Sequence, residues 1–399
     1  MTEQDRRTAL IHHPYRAPAG FESPAVPVAK GSTIFFPNVA ALRARTWVDR
    51  SAYTYGLHGT PTTFTLEERL ASLEGGTHCV LVSSGLAAIT LVDIALLSSG
   101  DQVLLPDNAY GPNKNFTRHE LARWGIAAAV YDAMDIDTLA AAITPATRLV
   151  WLEAPGSVTL EFPDLRGLVR TVRQRAPQAV VALDNTWGAG LAFDAFELGE
   201  VELGEPQGVD LTVHALTKYP SGGGDVLMGS VICRDDALYR QLALSRSRVG
   251  HGVGANDIEA VLRSLPSMPL RYAAQDAAGR AFAAWCGTRS EFAAVLHPAT
   301  PGSPGHEHWR SHCRAAAGLV TVEIDPRFSA ARVDAFVDAL KLFRIGWSWG
   351  GAFSLAVPYE AATIRERPTR YRGSLVRFCL GLEAIDDLIA DAEKALKSL

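Results

Sequence analysis

The chain has 399 residues, 48% of them hydrophobic, which is enough for two cores rather than one. Its net charge of −5 and pI near 6.1 provide no basic face for nucleic acid, and no apolar run is long enough to span a membrane. The five cysteines are scattered, with no C-x-x-C pair, so neither a disulfide framework nor a metal site is predicted, and a cytoplasmic protein acting on a small molecule is.

Residues 1–62 are rich in Pro, Gly and aromatic residues without periodicity. They read as an arm that finds its contacts on a neighbouring subunit. From residue 63 short apolar runs alternate with amphipathic stretches. The runs are Val103–Pro106, Ala127–Tyr131, Arg148–Leu152, Val180–Leu183 and Met228–Cys233, and helices are predicted near 64–74, 86–98, 113–124, 136–143 and 164–175. That alternation specifies an α/β domain, residues 63–250, with a mostly parallel sheet covered on both faces. A C-terminal domain, 251–399, follows. It begins as part of a helical region from about 235 to 294 and passes through the turn-rich joint Pro298–Gly305. It ends as a smaller α+β unit with strands at 318–324 and 375–380 and helices near 328–341 and 384–398.

In a doubly wound sheet the ligand crevice lies beyond the C-terminal ends of the strands. Loops with reactive residues cluster at those ends. Ser83-Ser84-Gly85-Leu86 leads from an apolar run into a helix, where backbone N–H groups can hold a phosphate; many such turns bind nothing. Tyr110 follows another strand end and can stack on a flat ring or simply pack. Asp184 ends a strongly apolar strand, where a carboxylate needs a cation such as a protonated ring nitrogen, or else caps the next helix. Arg377, between apolar neighbours, offers a fork for a carboxylate or forms an internal ion pair.

Lys218 is the most informative of these residues. Of 38 basic residues only six are Lys, and only a lysine amine can shed its proton and become a Schiff-base nucleophile. By itself Lys218 reads as an ordinary surface lysine at the end of a strand. Its order in the chain, after the phosphate turn, Tyr110 and Asp184 and before Arg377, gives it more weight.

At these residues the sequence resembles the Cys/Met-metabolism family of pyridoxal-phosphate (PLP) enzymes of fold type I, and within it the cystathionine β-lyase branch. The stretches that carry the resemblance are Tyr55-Gly56 with Gly59-Thr60, Leu73-Glu-Gly-Gly76, Asp107-Asn-Ala-Tyr110 and Leu152-Glu-Ala-Pro-Gly-Ser157. Further along they are Leu183-Asp-Asn-Thr-Trp187, Thr217-Lys-Tyr219, Ser348-Trp-Gly-Gly351, and Arg377 with Gly381-Leu-Glu383. Pro155-Gly156-Ser157 and Trp349 resemble the β-lyases, whereas γ-lyases and γ-synthases usually have Pro-x-Asn-Pro and Leu there.

The resemblance implies a seven-stranded-type sheet and PLP bound through Lys218. It implies Asp184 at the ring nitrogen and Tyr110 on the ring face. Gly85, Leu86 and Thr217 would hold the phosphate, and Tyr55 would reach the phosphate of a neighbouring subunit. Arg377 and Ser348, beside Trp349, would receive the substrate α-carboxylate. Catalysis would fall to Lys218, Tyr110 and Tyr55, acting on an amino-acid substrate in a homotetramer built from dimers that share active sites. Three departures limit what carries over: Leu57 where the family usually has Arg, which removes a guanidinium from the phosphate site, Gly222-Gly-Gly-Asp225 after Tyr219, and Phe353 where Glu is usual. They leave open γ-elimination or γ-replacement as an alternative to β-elimination. A non-catalytic PLP-fold scaffold or regulator is the alternative of another class, and it would need neither Lys218 nor Asp184.

Overall fold

A computed structural model of the chain describes residues 20, 23–199 and 208–399. Most of the first 22 positions of the predicted arm therefore lie outside the described residues. Seven strands form the larger sheet: β1 (His78–Val82), β2 (Gln102–Pro106), β3 (Ala127–Tyr131), β4 (Thr147–Glu153), β5 (Val180–Asp184), β6 (Leu211–Ala215) and β7 (Gly229–Cys233). Their order is β1-β7-β6-β5-β4-β2-β3. β7 is antiparallel to both its neighbours while the remaining pairings are parallel, so six of the seven strands point the same way and present their C-terminal ends along one edge.

Burial on both faces explains why these strands read as continuous apolar runs. Leu81, Leu104, Val150, Leu152, Val181 and Leu183 face one core, and their neighbours Val82, Val103, Leu105, Leu149, Trp151 and Ala182 face the other, as the period of two in a strand requires. Helix Gly85–Leu96 covers the second face. Its start is fixed by Ser84, whose Oγ accepts from the Ala87 N–H at 3.0 Å, a standard N-cap. Gly85 is required there because a Cβ would lie 2.5 Å from the Cβ of Ala215. The helix N-terminus is thus pressed against the end of β6.

The second sheet holds β8 (Phe292–Leu296), β9 (Leu319–Ile324), β10 (Arg344–Ile345), β11 (Leu355–Tyr359) and β12 (Leu375–Cys379), in the order β10-β11-β12-β9-β8. Phe282, Phe336 and Phe378 centre its core, beneath helices Met268–Cys286, Ala330–Ala339 and Ile385–Ala395. Val376 and Phe378 point into that core, so Arg377 between them points away from it. Two stretches depart from expectation. β8 falls at the end of the region predicted as helical, because Phe-Ala-Ala-Val-Leu is too short and Ala-rich to reveal its period. The helix predicted at 113–124 is an α-helix only over Gly111–Phe116; it continues as a π turn over Thr117–Leu121 and a 3₁₀ turn over Ala122–Trp124.

One buried acid sets a stability prediction. The Trp151 indole donates to Asp93 Oδ1 at 2.9 Å, while Asp93 Oδ2 is buried without a partner. Burial pushes this carboxyl up to about 7. The folded chain therefore keeps a proton that the unfolded chain releases above pH ~4, so stability falls as pH rises from about 4 to about 7. Asp93→Asn keeps the acceptor for Trp151 and has no proton to lose. The variant is expected to gain on the wild type by up to about 4 kcal/mol between pH ~5 and ~8, read from urea midpoints; parallel pH profiles for the two proteins would refute this.

Candidate active site

The strand ends open onto a cleft of about 310 Å³ lined by Ser84, Gly85, Leu86, Tyr110, Asp184, Thr217, Lys218, Ser348, Trp349 and Arg377. Nine of the ten residues predicted for the site are therefore together. The exception is Tyr55, which pairs with Thr33 in an isolated bridge and is 48% exposed, away from this cleft.

Glu153 and Asp184 end the adjacent parallel strands β4 and β5 and are paired in register. Two carboxyls side by side in a buried place cannot both ionise freely. Burial first, and then Asp184, pushes the Glu153 carboxyl well above the usual range. Its Oε2 accepts from the Tyr110 backbone N–H at 2.7 Å and so fixes the loop that presents the Tyr110 ring. Burial also raises Asp184, opposed by two hydrogen bonds from Thr186: its N–H at 3.0 Å and its hydroxyl at 2.6 Å. The Ala215 N–H donates in turn to Thr186 Oγ1 at 3.0 Å, tying Asp184 to the end of β6. Asp184 forms no ion pair among the described residues.

Lys218 follows β6 by three residues. Its amine donates to Ser348 Oγ at 3.2 Å and sits 4.5 Å from the centroid of the Trp349 ring. Burial, reinforced by the Arg377 guanidinium, lowers it to about 8. A neutral amine is then available near neutral pH, unlike that of a solvated lysine. The loop carrying Ser348 can approach because Gly350 has φ 78° and no side chain: a Cβ there would lie 2.8 Å from the Tyr219 nitrogen. Three further bonds hold this loop and its neighbour. Gln275 donates to the Gly351 carbonyl at 2.7 Å, and Ser354 donates to Glu383 at 2.7 Å while accepting from the Gly381 N–H.

Arg377 lies between aromatic rings, its guanidinium carbon 5.3 Å from the Trp349 centroid and 5.4 Å from that of Tyr359. It is 7% exposed, and its guanidinium makes no hydrogen bond or ion pair among the described residues. A buried guanidinium with open donors at a cleft is suited to receive a carboxylate. Sequence reasoning missed Glu153, Thr186 and Tyr359. Glu153 had a readable signal, an acid ending an apolar strand as Asp184 does. Of the departures, Phe353 is 73% exposed and outside this cleft, and the glycine run brings Leu227 to its wall. His58, one residue beyond Leu57, is held by Thr54 Oγ1 at 2.9 Å and Ser247 Oγ at 3.3 Å and stacks on Trp47.

PLP fits this set of groups. The helix start at Gly85–Leu86 is suited to its phosphate, Asp184 lacks the cation that a protonated ring nitrogen would supply, and Lys218 presents a lowered amine between them. No described helix is long and apolar enough to cross a membrane.

Comparison with known proteins agrees with this geometry. Residues 7–397 match the model of the Cys/Met metabolism PLP-dependent enzyme family. A cystathionine β-lyase of Bordetella avium is 37% identical over 396 residues, 97% of this chain and 96% of that one. Cystathionine β-lyase MetC of Escherichia coli (strain K12) is 32% identical, over 92% of this chain and 91% of that one. Among solved structures, a cystathionine γ-synthase from Xanthomonas oryzae pv. oryzae in complex with cystathionine superposes with a TM-score of 0.82 at 27% identity, covering 94% of this chain and 93% of that one.

Proposed function

The chain belongs to the Cys/Met metabolism PLP-dependent enzyme family, and from that premise we propose that it cleaves L-cystathionine by α,β-elimination followed by hydrolysis with one water, giving homocysteine, pyruvate and ammonia. The observation that carries the reading is Lys218, lowered to about 8, beside an Arg377 whose donors are open. The names of the β-lyase relatives, and the residues Pro155-Gly156-Ser157 and Trp349, support β- over γ-chemistry.

In this reading Arg377 and Ser348 grip the α-carboxylate and turn Cα toward Lys218. The lysine amine, free of its own bond to the cofactor once substrate is bound, would take the Cα proton as general base. Bound PLP supplies the electron sink for the pair left at Cα. Asp184, whose charged form the two Thr186 bonds favour, would keep a proton on the ring nitrogen. As the Cβ–S bond breaks, Lys218 or the Tyr110 hydroxyl delivers a proton to the departing sulfur. Burial, then Asp184 and Glu153, hold Tyr110 above its usual range, so the hydroxyl keeps its proton at working pH. The Trp349 ring, beneath both Lys218 and Arg377, excludes water from the reacting carbon.

A second reading, γ-elimination or γ-replacement, is favoured by the likeness to the Xanthomonas γ-synthase. The keto acid formed separates the two. Incubated with L-cystathionine and PLP, the protein is expected to release pyruvate in step with homocysteine thiol; 2-oxobutyrate with cysteine thiol would establish the γ-reading in its place.

A further inference from the structure

The face of β6 turned away from the cleft carries a buried acid–imidazole pair. Val213 and Ala215 line the cleft, so Thr212 and His214, which alternate with them, point to the other side of the sheet. There they meet Glu74, the last residue of helix Pro61–Glu74. Glu74 Oε1 lies 2.8 Å from His214 Nδ1, and Oε2 accepts from the Asn185 amide at 3.0 Å and the Thr212 hydroxyl at 2.9 Å. The Glu74 and His214 side chains are both fully buried. Two glycines let the following loop close over them: a Cβ at Gly188 would lie 2.2 Å from Asn185 Oδ1, and one at Gly190 would lie 2.9 Å from Glu74 Cγ.

Donors around a carboxyl favour its ionised form, and a carboxylate this deep needs a cation. Of the three side chains bonded to Glu74, only His214 can become one. Its other ring nitrogen, Nε2, is buried without a partner among the described residues, so no bond holds that nitrogen in the neutral, accepting form.

The same side chains frame Asp184 from behind. Asn185 follows it, and Val213, the residue before His214, is paired with it in register; the Asn185 N–H donates to the Val213 carbonyl at 2.9 Å. Burial acts most strongly on the Asp184 carboxyl and raises it; the Thr186 bonds lower it, and after them a charged His214 does so by more than Glu74 raises it. In the proposed site Asp184 and the ring nitrogen face each other across one proton. A cation behind Asp184 disfavours that proton on the carboxyl and leaves it to the ring.

We infer that Glu74 and His214 are positioning residues for the cofactor: the carboxylate holds His214 as an imidazolium behind Asp184, and that charge keeps the shared proton on the ring nitrogen. This role rests on the proposed placement of Asp184 against that nitrogen and not on which bond is cleaved.

The test loads wild type, His214→Gln, Glu74→Gln and Asp184→Asn with PLP carrying ¹⁵N in its ring and reads the chemical shift of that nitrogen, which separates the protonated ring from the neutral one. The wild type is expected at the protonated position. Glutamine at 214 still donates to Glu74 but takes no charge; glutamine at 74 still accepts from Asn185 and Thr212, and its amide donates to His214 Nδ1 and holds the imidazole neutral. Both variants are expected to move the signal toward the neutral position, each pK unit of lost bias redistributing the proton about tenfold. Turnover, kcat, should fall by about tenfold with KM within about twofold, as for an interaction used only in the transition state. Glu74→Gln decides the matter if His214→Gln does not fold. An unmoved signal in either folded variant, with Asp184→Asn shifted, would make the pair a brace between helix and sheet and overturn the inference. A wild-type signal at the neutral position, or no shift in Asp184→Asn, overturns the placement of Asp184 and the inference with it. The spectrum gives this answer whichever amino acid the enzyme cleaves.

Discussion

Lys218→Ala is expected to lower turnover by about 10⁴-fold or more, since a positioned base alone contributes up to about that factor and the covalent hold on the cofactor is lost with it. Lys218→Arg should fare no better: it keeps the charge beside Ser348 and Trp349 but cannot shed its proton. The two variants together separate a proton-carrying amine from a merely positive group. Borohydride should fix PLP covalently to the wild type and to neither variant.

The same substitution has an opposite effect on stability. Burial lowers the folded-state Lys218 to about 8, against about 10.4 when unfolded. The folded chain thus holds fewer protons across that interval, and stability rises with pH from about 8 to about 10. Below about 8 the charged amine costs about 3 kcal/mol. The cofactor-free Lys218→Ala protein should therefore unfold at a higher urea concentration than the wild type at pH ~7, with the gap closing as pH rises past ~10. Retained turnover in Lys218→Ala would remove the proposed mechanism, whatever the stability data.

Much of this site is legible along the chain because its parts sit at strand ends, where an apolar run stops at a polar residue. Asp184 and Lys218 follow β5 and β6 in that way, and Gly85 follows β1. The pair behind the sheet is not legible. Glu74 and His214 are 140 positions apart, and only the packing of helix Pro61–Glu74 against the sheet brings them together. The fastening of segment 361–367 through Asp107, Glu161 and Arg365 gives no local signal either, since each residue alone reads as a surface charge. β11 escaped for a different reason. Pro358 within Leu355–Tyr359 argues against a strand, yet β11 is paired fully on one side with β12 and only at its first two residues with β10, so Pro358 lies beyond the short parallel ladder and costs no hydrogen bond. Phe353, where Glu is usual, is exposed and does not line the cleft.

Asp184→Asn is expected to reduce turnover by about 10² to 10³-fold, the range for removing one preorganised electrostatic partner from a reacting system. The amide keeps the size of the side chain and an acceptor for the two Thr186 donors, so the loop should keep its shape. It lacks the charge that holds a proton on the ring nitrogen. Stability should separate this from a folding defect. In the cofactor-free protein burial raises the Asp184 carboxyl and makes the charged form a cost above its unfolded value near 4. Asp184→Asn should therefore be at least as stable as the wild type at pH ~7 when PLP is absent. When PLP is added the order should reverse, because the wild type binds it more tightly and gains more through linkage. Thermal melting of both proteins with and without PLP reads the crossing directly. If the variant is less stable in both states, Asp184 is a structural acid that braces β5 against β6, and the assignment of its charge to the ring nitrogen fails.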